Sequence, residues 1–201
     1  MTGPYQAWRS QPEAALTEQQ EASEDAVMTR IGQAVILLHA GDREEARNRL
    51  GQIWAEIGEE GDSLHRCTLA HYLADAQDDP ADELAWDLRA LTAAEGLAAG
   101  PGGRPPGAPP ERAGEGAPAH GRPHRAVRVF YPSLHLSLAA DYVKLRRPEA
   151  ARVHLARARA ATEALSDDGY GNGVRAAIAR LERRLAAEPG QGPRPFPEQS
   201  P

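Results

Sequence analysis

The sequence predicts an all-α chain whose helices pair into antiparallel helix-turn-helix units and stack side by side. Three observations carry that expectation. Apolar residues recur at helical spacing over most of the chain, short turn signals separate the resulting stripes, and no segment alternates with period two long enough to make a strand. Ala126 to Tyr131, with Val127 and Val129, is the one weak strand candidate.

Taken in order, Glu24 to Ala40 places Val27, Ile31, Ala34 and Leu38 on one stripe, and the turn chemistry of Gly41-Asp42 ends it. A second helix from about Arg43 repeats the pattern with Ala46, Leu50, Ile53 and Ile57, before Gly58 and Gly61. A third, about Asp62 to Gln77, offers Leu69, Tyr72, Leu73 and Ala76. Asp79-Pro80 announces a fourth, with Asp79 as cap and proline in the first turn, and its expected packing face is Leu84, Leu88 and Leu91. A fifth is expected from about Pro132 with Leu134, Leu138, Tyr142 and Leu145, and a sixth from Pro148 with Ala151, Leu155, Ala158 and Leu165. The seventh follows Ser166-Asp167-Asp168-Gly169 and carries Val174, Ile178, Leu181 and Leu185.

Composition places the boundaries. Of the 201 residues, 19 are Gly and 17 Pro. Residues 99–124 hold 14 of these 36 in a stretch of 26 with no apolar periodicity, too little burial to offset the entropy of ordering it. The expected organisation is therefore a disordered N-terminus at 1–23, two hairpins at 24–98 and a flexible Gly/Pro-rich insertion at 99–124. A third hairpin with a capping helix follows at 125–188, then a disordered tail at 189–201.

The net charge of −6 divides unevenly: residues 1–98 carry 7 basic and 19 acidic side chains, whereas residues 125–201 carry 13 and 8. The reading is that the two halves face each other. An anionic chain repels a phosphate backbone, so nucleic-acid binding by the basic C-terminal half is the less expected alternative. No run of 18 apolar residues and no secretory leader are visible, and a single cysteine excludes an internal disulfide framework. The expectation is a cytoplasmic protein with no membrane partner. The alanine and arginine bias, 38 Ala and 22 Arg against one Lys, suggests a GC-rich bacterial genome.

The run LHLSLAADYVKLRRPEAARVHLARARA sets Leu138-Ala139-x2-Tyr142 before Ala151, Leu155 and Ala158. That spacing resembles the tetratricopeptide repeat, a helix-turn-helix unit with small residues at the helix crossing. His135 stands where the family has tryptophan and Glu163 where it has proline. Ala34, Leu37, Gly41, Ala46, Leu50 and Ile53 fit the same template, and a middle unit aligns on Leu84. The resemblance implies a short superhelical stack with a C-terminal capping helix, whose concave surface binds a protein segment. It assigns partner-facing positions to Met28, Ile31, Val35 and Leu38 in the first unit and to Ser133, Leu136, Ala140, Val143 and Lys144 in the third. These are mostly apolar, which implies an apolar helix or extended segment as ligand, or self-association, without catalytic residues, metal or cofactor.

One constellation supports an enzymatic alternative. Cys67, His71 and Asp75 are spaced i, i+4, i+8 on the third helix and are all legitimate ligands or acid-base groups. The bland reading, a small buried thiol among unavoidable helical neighbours, is preferred. The acidic run Asp75, Asp78, Asp79, Asp82, Glu83 and Asp87 is read as capping and solubility, and Arg175, Arg180, Arg183 and Arg184 as the solvated face of the last helix.

Overall fold

A computed structural model describes residues 7–59, 61–99 and 122–187. These form seven α-helices and no strand: α1 Ala7–Ala40, α2 Arg43–Ile57, α3 Ser63–Asp75, α4 Pro80–Ala99, α5 Arg122–Lys144, α6 Pro148–Ala161 and α7 Gly169–Ala187. A single 3-10 turn, Thr162–Ala164, follows α6. The all-α expectation holds. Residues 1–6, 60, 100–121 and 188–201 lie outside the described residues, and with them most of the expected insertion and the whole expected tail.

Local signals set most helix ends. The N–H groups of Gly41 and Asp42 donate to the carbonyls of Leu38 and Leu37, closing α1 with glycine in the left-handed region. Asp62 accepts from the N–H groups of Leu64 and His65 at the start of α3, and Asp79 accepts from that of Ala81 at the start of α4. Asp168 does the same for Gly171 in α7, where an added Cβ would collide with the Ser166 carbonyl.

Two helices begin earlier than their periodicity suggests. Residues 7–23, expected to lack order, belong to α1. Their Ala, Glu and Gln content favours helix without an apolar stripe, which starts only at Val27. Likewise α5 starts at Arg122, so Pro132 sits inside it, buried. The weak strand candidate is part of this helix. Val129 packs on the core of α5–α7 and Tyr131 on the clusters shared with α4, whereas in a strand two such residues would share a face.

Helices pack as α1 on α2, α3 on α4 and α5 on α6, with α2 against α3, α4 against α5 and α7 against both α5 and α6. Thus α4 and α5, which flank the Gly/Pro-rich stretch, are direct neighbours in one stack. Alanines mark the close approaches in the outer hairpins: Ala34 and Ala46 in the first, Ala139 and Ala151 in the second, all fully buried. The middle hairpin differs from expectation. Leu88 is 40% exposed, and Asp87, at 1%, takes the inward position instead. No helix among the described residues is long and apolar enough to cross a membrane.

Candidate functional site

The partner-facing residues expected from the repeat template separate into three groups. Met28 is 38% exposed, and Val35, Leu38, Leu136 and Ala140 are partly buried. Ile31 and Val143 are not surface residues. Ile31 packs with Ala34, Leu50 and Ile53 between α1 and α2, and Val143 packs with Ala151 and Leu155 between α5 and α6. Both lie on the inward stripe, because each helix turns its face of small residues to its partner and carries these neighbours with it. Lys144 pairs with Glu83 of α4 and, at 3.4 Å, with Asp141. Ser133 accepts the Tyr170 hydroxyl proton at 3.1 Å.

The Cys67, His71 and Asp75 set is not assembled as a unit. Cys67 is sealed among Ala70, Ala90, Ala94 and Leu134. Desolvation, then the charge of Asp87, pushes its thiol up to about 12, so it stays protonated at neutral pH, the reverse of what a nucleophilic cysteine needs. His71 turns instead to α4, where its Nδ1–H donates to Asp87 Oδ1 at 3.3 Å. Burial opposes the imidazolium, but the hydrogen bond and charge of Asp87 outweigh it and the His71 pKa is raised. Asp75 stays at the exposed edge. Among the described residues no three His, Cys, Asp or Glu side chains converge as a metal-binding group.

The polar centre of the fold lies one step further, where α3, α4 and α5 meet. Asp87 and Asp141 are each 1% exposed. The Asp141 Oδ2 atom finds no donor. Desolvation, followed by the adjacent charges of Asp87 and Glu83, raises its pKa to about 8. Asp141 is therefore a neutral acid at neutral pH, and its O–H has the Asp87 carboxylate as acceptor. The two buried carboxyls are flanked by His71 on one side and the Lys144–Glu83 pair on the other.

Capping and solubility, the expectation for the acidic run, suits Asp79 but not Asp87. A signal was present: Leu84, Asp87, Leu91 and Ala94 share one helical stripe, as do Leu134, Leu138, Asp141 and Leu145. A carboxylate inside such a stripe is inward-facing by position alone.

On the far side of α5 a second polar group forms. His135 Nδ1 lies 3.2 Å from His154 Nδ1, with Tyr131 stacked on His135 and Tyr142 beside His154. Desolvation and the neighbouring His154 pull the His135 pKa down to about 4. At the end of the stack, Arg159 pairs with Glu182 at 3.0 Å, and Arg175 pairs with Asp167 while donating to the Ser166 carbonyl. These arginines serve α7 internally. A shallow groove of about 370 Å³ between α1 and α2 is lined chiefly by polar side chains, including Arg30, Gln33, Asn48 and Gln52. Compared with family models, with curated proteins and with solved structures, the chain matches none.

Proposed function

We propose that this chain is a non-enzymatic cytoplasmic interaction module, a short tetratricopeptide-like stack that takes an apolar helix or extended segment of another protein. The observation that carries the reading is the uncovered apolar face of α1. Met28 and Ile36, 38% and 68% exposed, flank Gly32 at i, i+4, i+8 spacing, and a Cβ on Gly32 would meet open space. Of the expected positions this face keeps Met28; Gly32 and Ile36 are not among them, and Ile31 and Val143 belong to the core. The buried alanines at equivalent crossings of the outer hairpins support the repeat arrangement. The sealed, protonated Cys67 weighs against the cysteine-dependent alternative.

The test is a Met28→Asp/Ile36→Asp double variant beside the wild type, in affinity capture from native extract quantified by mass spectrometry. Both sites are exposed, so far-UV circular dichroism should not change. A protein retained by the wild type and lost from the variant is the expected result. Identical retention by both chains would overturn the α1 assignment, and a wild type that instead runs as a dimer in size-exclusion chromatography, with the variant monomeric, would identify a second copy as the partner.

A further inference from the structure

The contact between α4 and α5 joins stretches that the Gly/Pro-rich segment separates in sequence, and its most deeply buried polar groups come one from each side. A buried carboxylate pair is a costly way to fill a helix seam. We propose that Asp87 and Asp141 are a proton-operated clamp, which holds α4 to α5 while the two carboxyls share one proton and loosens the seam when that proton leaves.

The geometry supplies both states. With the proton present, the O–H of Asp141 has Asp87 as acceptor, and Asp87 also accepts from His71 at 3.3 Å. Lys144 bridges from α5 to Glu83 of α4 across the same seam. The charged groups around the pair come from three elements: His71 and Asp75 on α3, Glu83 on α4 and Lys144 on α5 itself. Cys67 of α3 also faces Asp87 and stays neutral. On the α6 side, His154 faces His135, and Tyr170 of α7 bonds Ser133.

Below neutrality two cations, His71 and Lys144, stand among the carboxylates of Asp75, Glu83 and Asp87, with Asp141 neutral. In mild alkali Asp141 loses its proton. Asp87 on α4 and Asp141 on α5, both out of reach of water, then carry like charges that push the helices apart.

The experiment is hydrogen exchange by mass spectrometry on the full chain from pH 6 to 9.5, corrected for intrinsic exchange, reading peptides of α4 and α5. Wild-type protection at the seam should fall tenfold or more across this range, and Asp141→Asn, a permanently neutral isostere, should hold its protection throughout. Flat wild-type protection, or an equal fall in Asp141→Asn, would overturn the clamp. A fall abolished by His71→Gln but kept by Asp141→Asn would do so too, since it would assign the effect to the imidazole alone. Should Asp141→Asn fail to fold, carboxyl carbon NMR of the wild type decides: Asp141 titrating near 8 supports the clamp, and titration in the ordinary carboxylate range refutes it.

Discussion

Gly41 and Arg146 hold the same left-handed position in two equivalent turns. Each stands five residues ahead of a fully buried alanine, Ala46 or Ala151. The N–H groups of Gly41 and Asp42 donate to Leu38 and Leu37, and those of Arg146 and Arg147 to Val143 and Tyr142. Their φ angles are 94° and 55°. The two outer hairpins therefore close in the same way, one with the residue that tolerates this backbone and one with a residue that does not.

This equivalence sets the first prediction. Arg146→Gly should stabilise the fold by about 1 kcal/mol, since the strain of a side chain in the left-handed region exceeds the entropy that glycine adds to the unfolded chain. Gly41→Ala should destabilise it by about 1 kcal/mol. Urea unfolding of both variants provides the check, and a destabilised Arg146→Gly would contradict the argument.

Acid lability is the second. The folded pKa of His135 is depressed to about 4, below its unfolded value near 6.5, so the unfolded chain binds the extra proton first. Its contribution to stability is complete above the unfolded value and is lost as pH falls through that window. A fully sequestered ring would lose about 3 kcal/mol, and roughly half of that remains once solvent at its open edge screens the charge. His135→Phe should flatten the urea midpoint between pH 6.5 and 4 relative to wild type. Asp141 acts with the opposite sign: its raised pKa means that stability present in acid is lost as pH rises toward 8.

Trp54 of α2 and Trp86 of α4 meet edge to face, with centroids 5.1 Å apart and planes at 88°. Arg66 lies over the first ring and Arg89 over the second. A double-mutant cycle with Trp54→Leu and Trp86→Leu should return a coupling of about 1 kcal/mol. Strictly additive losses would mean that the pair contributes area and nothing more.

The thiol makes the fourth. Buried and held protonated, Cys67 should react with a thiol-selective reagent only through unfolding. The native labelling rate should lie orders of magnitude below that in denaturant. Rapid native labelling would place the thiol at the surface.

Much of the helix plan was legible because periodicity and caps are local: Asp79 before Pro80, Gly41 after the first stripe, and the alanines at the crossings. The true start of α1 was not, since propensity without amphipathicity leaves no stripe to count. The inward turn of Asp87 was hidden for a different reason. The run from Asp75 to Asp87 has the look of a solvated face, and only its place between Leu84 and Leu91 separates one member from the rest.

By itself the sequence determined that the chain is helical, that its helices pair, and where small residues allow two helices to touch. Those properties follow from side-chain size and spacing within a dozen residues. Tertiary structure decided the neighbours across the Gly/Pro-rich stretch, and with them the chemistry of the centre. Asp87 and Asp141 lie far apart in the chain, and a carboxyl's charge state depends on which other charges and how much water surround it. Those surroundings exist only once α4 has packed on α5.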